Sequence, residues 1–159
     1  MHSTKYERSL IIVKPDAIQR RLLGEIIHRF ERKGLDIVGM KMMELGDVLL
    51  DEHYAHHKDK AFFPKLKKYM QSAPVVLMAI AGVDAVATVR LIVGPTKSRE
   101  ASAGTIRGDF AMSVQTNIVH ASDTRESAEK EIKRFFDESE LCERPRHDLP
   151  YIYSPDELE

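Results

Sequence analysis

The run Ser9-Leu10-Ile11-Ile12-Val13 constrains the fold more than any other stretch, because it is apolar on both sides of the chain, rich in β-branched residues and closed by Pro15. A strand sends successive side chains to opposite faces, so a strand apolar on both lies in a sheet covered above and below. The rest of the chain must therefore supply two covering layers.

The helical patterns needed for that cover are present. Residues 23–33 repeat Ile26, Ile27 and Phe30 at one-turn spacing, with Arg and Lys opposite and Gly34 where a helix C-cap belongs. Residues 35–45 alternate imperfectly through Ile37, Val38, Met40 and Met42, and residues 74–81 hold another apolar run, Val75-Val76-Leu77-Met78-Ala79-Ile80. Both read as strands. Between them, residues 51–70 read as a helical hairpin or broken helix, with Pro64 fit to open its second half. Asp84 is placed to cap a helix over 85–93 that Gly94-Pro95 stops. Residues 98–109 contain Gly104 and Gly108 without apolar periodicity and read as an ordered surface loop of the kind that often carries function. The last strand is expected at 117–119 and the last helix at about 124–136, with Asp123 and Glu126 at capping-box spacing.

The order β, α, β, helical segment, β, α, loop, β, α fits an α+β chain of the split βαβ, ferredoxin-like kind, with a doubly wound parallel sheet as the competing topology. One domain over residues 1–142 is expected. The tail, residues 143–159, contains Pro145, Pro150 and Pro155 and no periodicity, and is expected to run over the surface or onto a neighbouring subunit.

Charge narrows the partners. With 24 Lys and Arg against 25 Asp and Glu, the net charge of -1 draws the chain to neither nucleic acid nor anionic lipid, so any anion site must be a local cluster. Cys142 is the only cysteine, which fits a reducing compartment such as the cytoplasm. No apolar run approaches the ~20 residues of a membrane helix, and no membrane partner is expected.

Neither GxxxxGK[ST] nor GxGxxG is present, so the familiar phosphate loops are unavailable and the seven histidines are the better lead. His53, His56 and His57 lack an HExxH carboxylate or any further ligand pattern and read as a solvated helix face, with no protein-held metal expected. His2 and His147 fall in tails and His28 on the polar face of a helix. His120 differs, because it follows a buried strand and precedes a helix N-terminus, where an anion is welcome. Local pattern leaves it as either a structural residue or a nucleophile. Lys14 at a strand end, Arg90 in an otherwise apolar helix and Arg107 in the Gly-containing loop would form a triphosphate clamp around it if the fold converges them.

Several of these stretches occur together in one family. Ile11-Ile12-Val13-Lys14-Pro15-Asp16, Gly24-Glu25-Ile26-Ile27, His53-Tyr54, Phe62-Phe63-Pro64, Gly104-Thr105-Ile106-Arg107-Gly108-Asp109-Phe110, Asn117-Ile118-Val119-His120-Ala121-Ser122-Asp123 and Ser127-Ala128-Glu129-Lys130-Glu131-Ile132 keep the order seen in nucleoside diphosphate kinases. Over roughly residues 8–142 the chain closely resembles that family. The resemblance implies a ferredoxin-like antiparallel sheet and a homo-oligomer, hexamer or tetramer. It also implies transfer of a γ-phosphate from a nucleoside triphosphate to a histidine and on to a nucleoside diphosphate. It makes His120 the phosphorylated nucleophile, with Ser122 and Glu131 supporting it. Lys14, Tyr54, Arg90, Thr96, Arg107 and Asn117 would surround phosphates and sugar, and Phe62 would stack on the base. Mg²⁺ is implied as an ion carried by the nucleotide phosphates. A non-catalytic interaction protein on the same scaffold is the alternative.

Three letters depart from the family pattern. Ala121 replaces a glycine after the histidine, which disfavours positive φ there. Gly94-Pro95-Thr96-Lys97-Ser98 lacks the proline usual after the threonine, a position tied to subunit contacts, and Ala17 replaces a glycine after Lys-Pro-Asp.

Overall fold

The computed structural model describes residues 5–158, so His2 lies outside the described residues. Four strands form one sheet: β1 (Tyr6–Val13), β2 (Asp36–Met43), β3 (Val75–Val83) and β4 (Val119–Ala121), in the order β2-β3-β1-β4. Every adjacent pair is antiparallel, which is the ferredoxin-like arrangement and disposes of the parallel alternative. The helices are α1 (Pro15–Gln19), α2 (Leu23–Arg32), α3 (Asp47–His53), α4 (Phe63–Met70), α5 (Ala85–Val93), α6 (Ile106–Phe110) and α7 (Arg125–Phe135).

The two-sided apolar strands occupy the middle of the sheet and divide the core in two. Ile11 and Val13 of β1 pack with Val76, Met78 and Ile80 of β3 beneath Ile26 and Phe30 of α2 and Val89 of α5. Leu10 and Ile12 point the other way, with Val75 and Leu77, toward Leu50 of α3, Leu66 and Met70 of α4 and Ile132 and Phe135 of α7. Full burial of each such side chain stabilises the fold by roughly 1.5–3 kcal/mol.

Several local expectations change in the structure. The 51–70 segment is indeed broken, into α3, a 3-10 turn at Ala55–His57, and α4 with Pro64 in its first turn, but α3 begins earlier, at Asp47. Asp84 sits at the N-cap of α5 with φ +48° and no capping side-chain bond; Glu7 Oε1 accepts the Val86 N–H (2.9 Å) instead. The N-cap of α7 is Thr124, whose hydroxyl accepts the Ser127 N–H, in place of the Asp123 capping box. Residues 98–109 are less loop-like than expected: they hold a 3-10 turn at Ser98–Glu100 and the start of α6, and Ile106 and Arg107 are buried.

The tail packs on its own domain. A bulge at Val38 frees that carbonyl, and Cys142 N–H takes it at 2.6 Å. Arg144 reaches the buried Asp36 at 2.6 Å, and the Tyr153 hydroxyl accepts the Val83 N–H at 3.2 Å. Ile152 lies against Gly34, where a Cβ would come within 2.7 Å of it. With φ at +95°, Gly34 both ends α2 and admits the tail.

Candidate active site

His120 is the central residue of β4, not the residue after a strand, and its direction follows from sheet register. It pairs with Ile12 of β1, and cross-strand partners point to one face. Ile12 faces the α3, α4 and α7 layer, so His120 does too, while Val119 and Ala121 pair with Val13 and Ile11 on the other face. Glu131 of α7 stands there to meet it, with both carboxylate oxygens 3.2 Å from His120 Nε2. Ser122 donates its hydroxyl to Glu131 Oε2 (2.6 Å) and accepts the Leu10 N–H (3.1 Å), which ties the carboxylate to β1. Burial pushes the Glu131 carboxyl up, but its bonds from His120 and Ser122 outweigh this and hold it below the usual value. An ionised Glu131 selects the imidazole tautomer with hydrogen on Nε2, which leaves the lone pair on Nδ1.

His120 lines a cleft of about 600 Å³, an ordinary size for a small-molecule site. Its wall includes the three cations picked from sequence. Lys14 extends β1, is 7% exposed, and donates Nζ to Asn117 Oδ1 at 2.7 Å. Burial and the neighbouring Arg107 depress its pKa to about 8. Arg107 is also buried, its pKa lowered to about 10 by desolvation and Arg90. Its donors go to backbone carbonyls: Nε to Asn117 (3.2 Å), Nη1 to Gly94 (2.9 Å) and Nη2 to Val119 (2.7 Å). Each terminal nitrogen carries a second hydrogen, so the guanidinium shapes the backbone and still has donors for a ligand. Arg90 enters the cleft exposed, from the last turn of α5, as does Thr96 just beyond it.

The apolar end of the cleft holds Phe62 at the start of α4 and Val114, both large and half-exposed, with Tyr54 between the α3 end and the 3-10 turn. His57 packs its ring on Phe62 at 5.1 Å. All eight residues expected to meet the nucleotide, Lys14, Tyr54, Phe62, Arg90, Thr96, Arg107, Asn117 and His120, line this one cleft, and Ser122 and Glu131 stand behind the histidine. The expected helix N-terminus is not part of it: α7 opens at Arg125, outside the lining.

Two features escaped sequence reading. His53 is not on a solvated face; it is 5% exposed, packs edge-on to His120 (4.6 Å) and Phe135 (5.2 Å), and accepts Arg134 Nη1 on Nδ1 (3.4 Å). Its pKa falls to about 3, chiefly through burial, so it is neutral. The available signal was its place three residues after Leu50, on the buried side of α3. The second feature is the backbone before His120. Ile118 has φ +75°, and Val119 N–H bonds Asn117 O at 2.9 Å, a γ-turn of the strained kind. A β-branched residue there costs of order 1–3 kcal/mol. The special backbone therefore lies two residues before His120, and Ala121, in regular strand pairing, needs no glycine.

Comparison with known proteins matches this geometry to one family. The nucleoside diphosphate kinase family model matches residues 7–141. A nucleoside diphosphate kinase of Parabacteroides distasonis is 51% identical over 96% of this chain and 99% of its own length. One from Methanothermobacter thermautotrophicus is 52% identical over 92% and 98%. Among solved structures, the halophilic nucleoside diphosphate kinase of Halobacterium salinarum, in complex with CDP, superposes with a TM-score of 0.90 at 42% identity, over 93% of this chain and 99% of that one. With a family match across most of its length and relatives about half identical throughout, this chain belongs to the nucleoside diphosphate kinase family of phosphotransferases.

Proposed function

We propose that this protein transfers the γ-phosphate of a nucleoside triphosphate to a nucleoside diphosphate in two steps through His120. The observation that carries this is the pairing of His120 Nε2 with Glu131, which leaves Nδ1 as the nucleophilic nitrogen in a cleft lined by Lys14, Arg90 and Arg107. In the first step Nδ1 attacks the γ-phosphorus, a P–N bond forms, the bond to the β,γ-bridging oxygen breaks, and the nucleoside diphosphate leaves. In the second, a terminal β-phosphate oxygen of another nucleoside diphosphate attacks the phosphohistidine, and the electron pair returns to Nδ1. Such a transfer depends on positioning and charge stabilisation, which the three cations supply around the equatorial oxygens.

The family resemblance assigns Tyr54, Thr96 and Asn117 to the sugar and phosphates and Phe62 to the base; all four line the cleft, with the Tyr54 hydroxyl buried, and stacking on Phe62 would accept the π-face of many bases. The substrate is the Mg²⁺ complex of the nucleotide. No carboxylate lines the cleft among the described residues, so phosphate oxygens and water would complete the ion's shell. The family resemblance favours a homo-oligomer, hexamer or tetramer, and β2 is an edge strand with Met40 and Met42 exposed. A cytoplasmic location fits the free Cys142; no described helix is long and apolar enough to cross a membrane.

The test is incubation with γ-labelled ATP and Mg²⁺. The native chain should take up acid-labile label and release it to GDP without added ATP, and His120→Ala should take up none. Label retained in His120→Ala, or released only to water, defeats the proposal.

A further inference from the structure

The γ-turn at Ile118 is held by a carboxylate that is not itself part of the cleft lining. Asp16, in the first turn of α1, accepts the Ile118 N–H on Oδ2 (3.1 Å). Its Oδ1 accepts the hydroxyl of Tyr69 at 2.5 Å, near the end of α4. Lys14 N–H takes the Ile118 carbonyl at 2.8 Å, so both polar groups of the strained residue are engaged by the segment 14–16.

We propose that Asp16, backed by Tyr69, is a positioning residue for phosphoryl transfer, acting through the Ile118 turn on Asn117 and His120. Ile118 is fully buried, and among the described residues its amide donates to Asp16 alone. Without that acceptor the buried Ile118 N–H is stranded, the bonds from Lys14 and Arg107 alone oppose the strain of an isoleucine at positive φ, and the backbone relaxes toward an extended conformation. The first group to move is Asn117. Its side chain seats Lys14 Nζ and its carbonyl seats Arg107 Nε, so a rotation at the 117–118 peptide shifts the seat of Lys14 and takes one of the three carbonyls that hold Arg107. His120, at the centre of β4, follows Ile118 by two residues, and its approach to the γ-phosphate depends on the same anchor. Tyr69 adds a link across the cleft, because α4 begins beside Phe62: one carboxylate joins the helix of the base platform to the strand of the nucleophile.

This inference rests on the phosphohistidine reading, and one experiment separates the two. Single-turnover labelling by saturating γ-labelled ATP and Mg²⁺, with ADP binding measured on the same preparations, compares native chain, Asp16→Ala, Asp16→Asn and Tyr69→Phe. Asp16→Ala should label at least about tenfold more slowly while ADP affinity changes by less than about twofold, the signature of lost positioning as opposed to lost binding. Asp16→Asn keeps an oxygen for the Ile118 N–H and should recover most of the rate. Tyr69→Phe should slow labelling about threefold in the native background and add nothing to Asp16→Ala, because it acts only through that carboxylate. Native-rate labelling of Asp16→Ala, a defect wholly explained by weaker ADP binding, or an undiminished Tyr69→Phe effect in Asp16→Ala overturns the proposal. Should Asp16→Ala not fold, Tyr69→Phe decides alone, and a native rate in it overturns the proposal. Failure of the native chain to label at all would count against the phosphohistidine reading instead.

Discussion

Lys14→Met offers the sharpest test of the physics of the cleft, since a buried lysine serves a ligand at the expense of the fold. Desolvation and Arg107 lower the Lys14 pKa from 10.5 to about 8 in the folded protein. At pH 7 the folded chain therefore holds this proton less tightly than the unfolded chain by 2.5 pK units, a penalty of about 3 kcal/mol. Methionine is similar in length and removes that penalty, but it strands the buried Asn117 Oδ1, at a cost of about 1–3 kcal/mol. The expected net result at pH 7 is a gain of roughly 1 kcal/mol. The decisive signal is the pH trend. Between pH 8 and 10.5 the folded lysine has lost its proton and the unfolded one keeps it, so native stability rises with pH across that window. From pH 7 to pH 10 the native chain should gain about 2–3 kcal/mol on Lys14→Met. Urea denaturation of both proteins at the two pH values measures this. Parallel stabilities, or a trend of opposite sign, would show that Lys14 is not desolvated as described. Phosphoryl transfer should be severely impaired in the variant.

Other perturbations test other parts. Glu131→Gln should slow His120 labelling by on the order of a hundredfold, with nucleotide affinity little changed, because the amide no longer selects the Nε2–H tautomer; equal rates in single-turnover labelling would refute that role. His53, with its pKa lowered to about 3, binds its proton only in the unfolded chain between pH 6.5 and that value, so stability falls as pH falls; His53→Gln should remove about 2 kcal/mol of the loss between pH 7 and 5, read by urea titration. Phe62→Ala should weaken binding of adenine, guanine and cytosine nucleotides alike, by about 1–3 kcal/mol, in fluorescence or calorimetric titrations; loss confined to one base would contradict simple stacking.

The sequence was most informative where a residue's place follows from periodicity. The two-sided apolarity of Leu10 to Val13 and Val75 to Ile80 required two covering layers, and the structure has both. The ten residues proposed for the site came from the family resemblance, since no single-chain pattern says that Lys14, Arg90 and Arg107 converge; the structure brings eight of them to one cleft, with Ser122 and Glu131 behind His120. What stayed hidden depended on long-range partners. His53 looks like its exposed neighbours His56 and His57 until Phe135 and His120 close over it. The capping of α5 by Glu7 joins residues 79 positions apart. The turn at Ile118 runs against local propensity, because isoleucine is among the residues least suited to positive φ; only Asp16, Lys14 and Arg107 together explain why it forms.

The central place of β1 also has a consequence for how the protein is made. Of the four strands this one is synthesised first, yet its neighbours in the sheet are β3 and β4, and Ile12 waits for His120. Pairings at such separation close large loops and form slowly. Ser122, which locks to Leu10, and Glu131, which completes the histidine's surroundings, are synthesised later still. A nascent chain that stops short of α7 thus carries His120 without Glu131. Phosphoryl transfer through His120 should therefore arrive in one step once α7 has been made, with products truncated before it inert toward ATP.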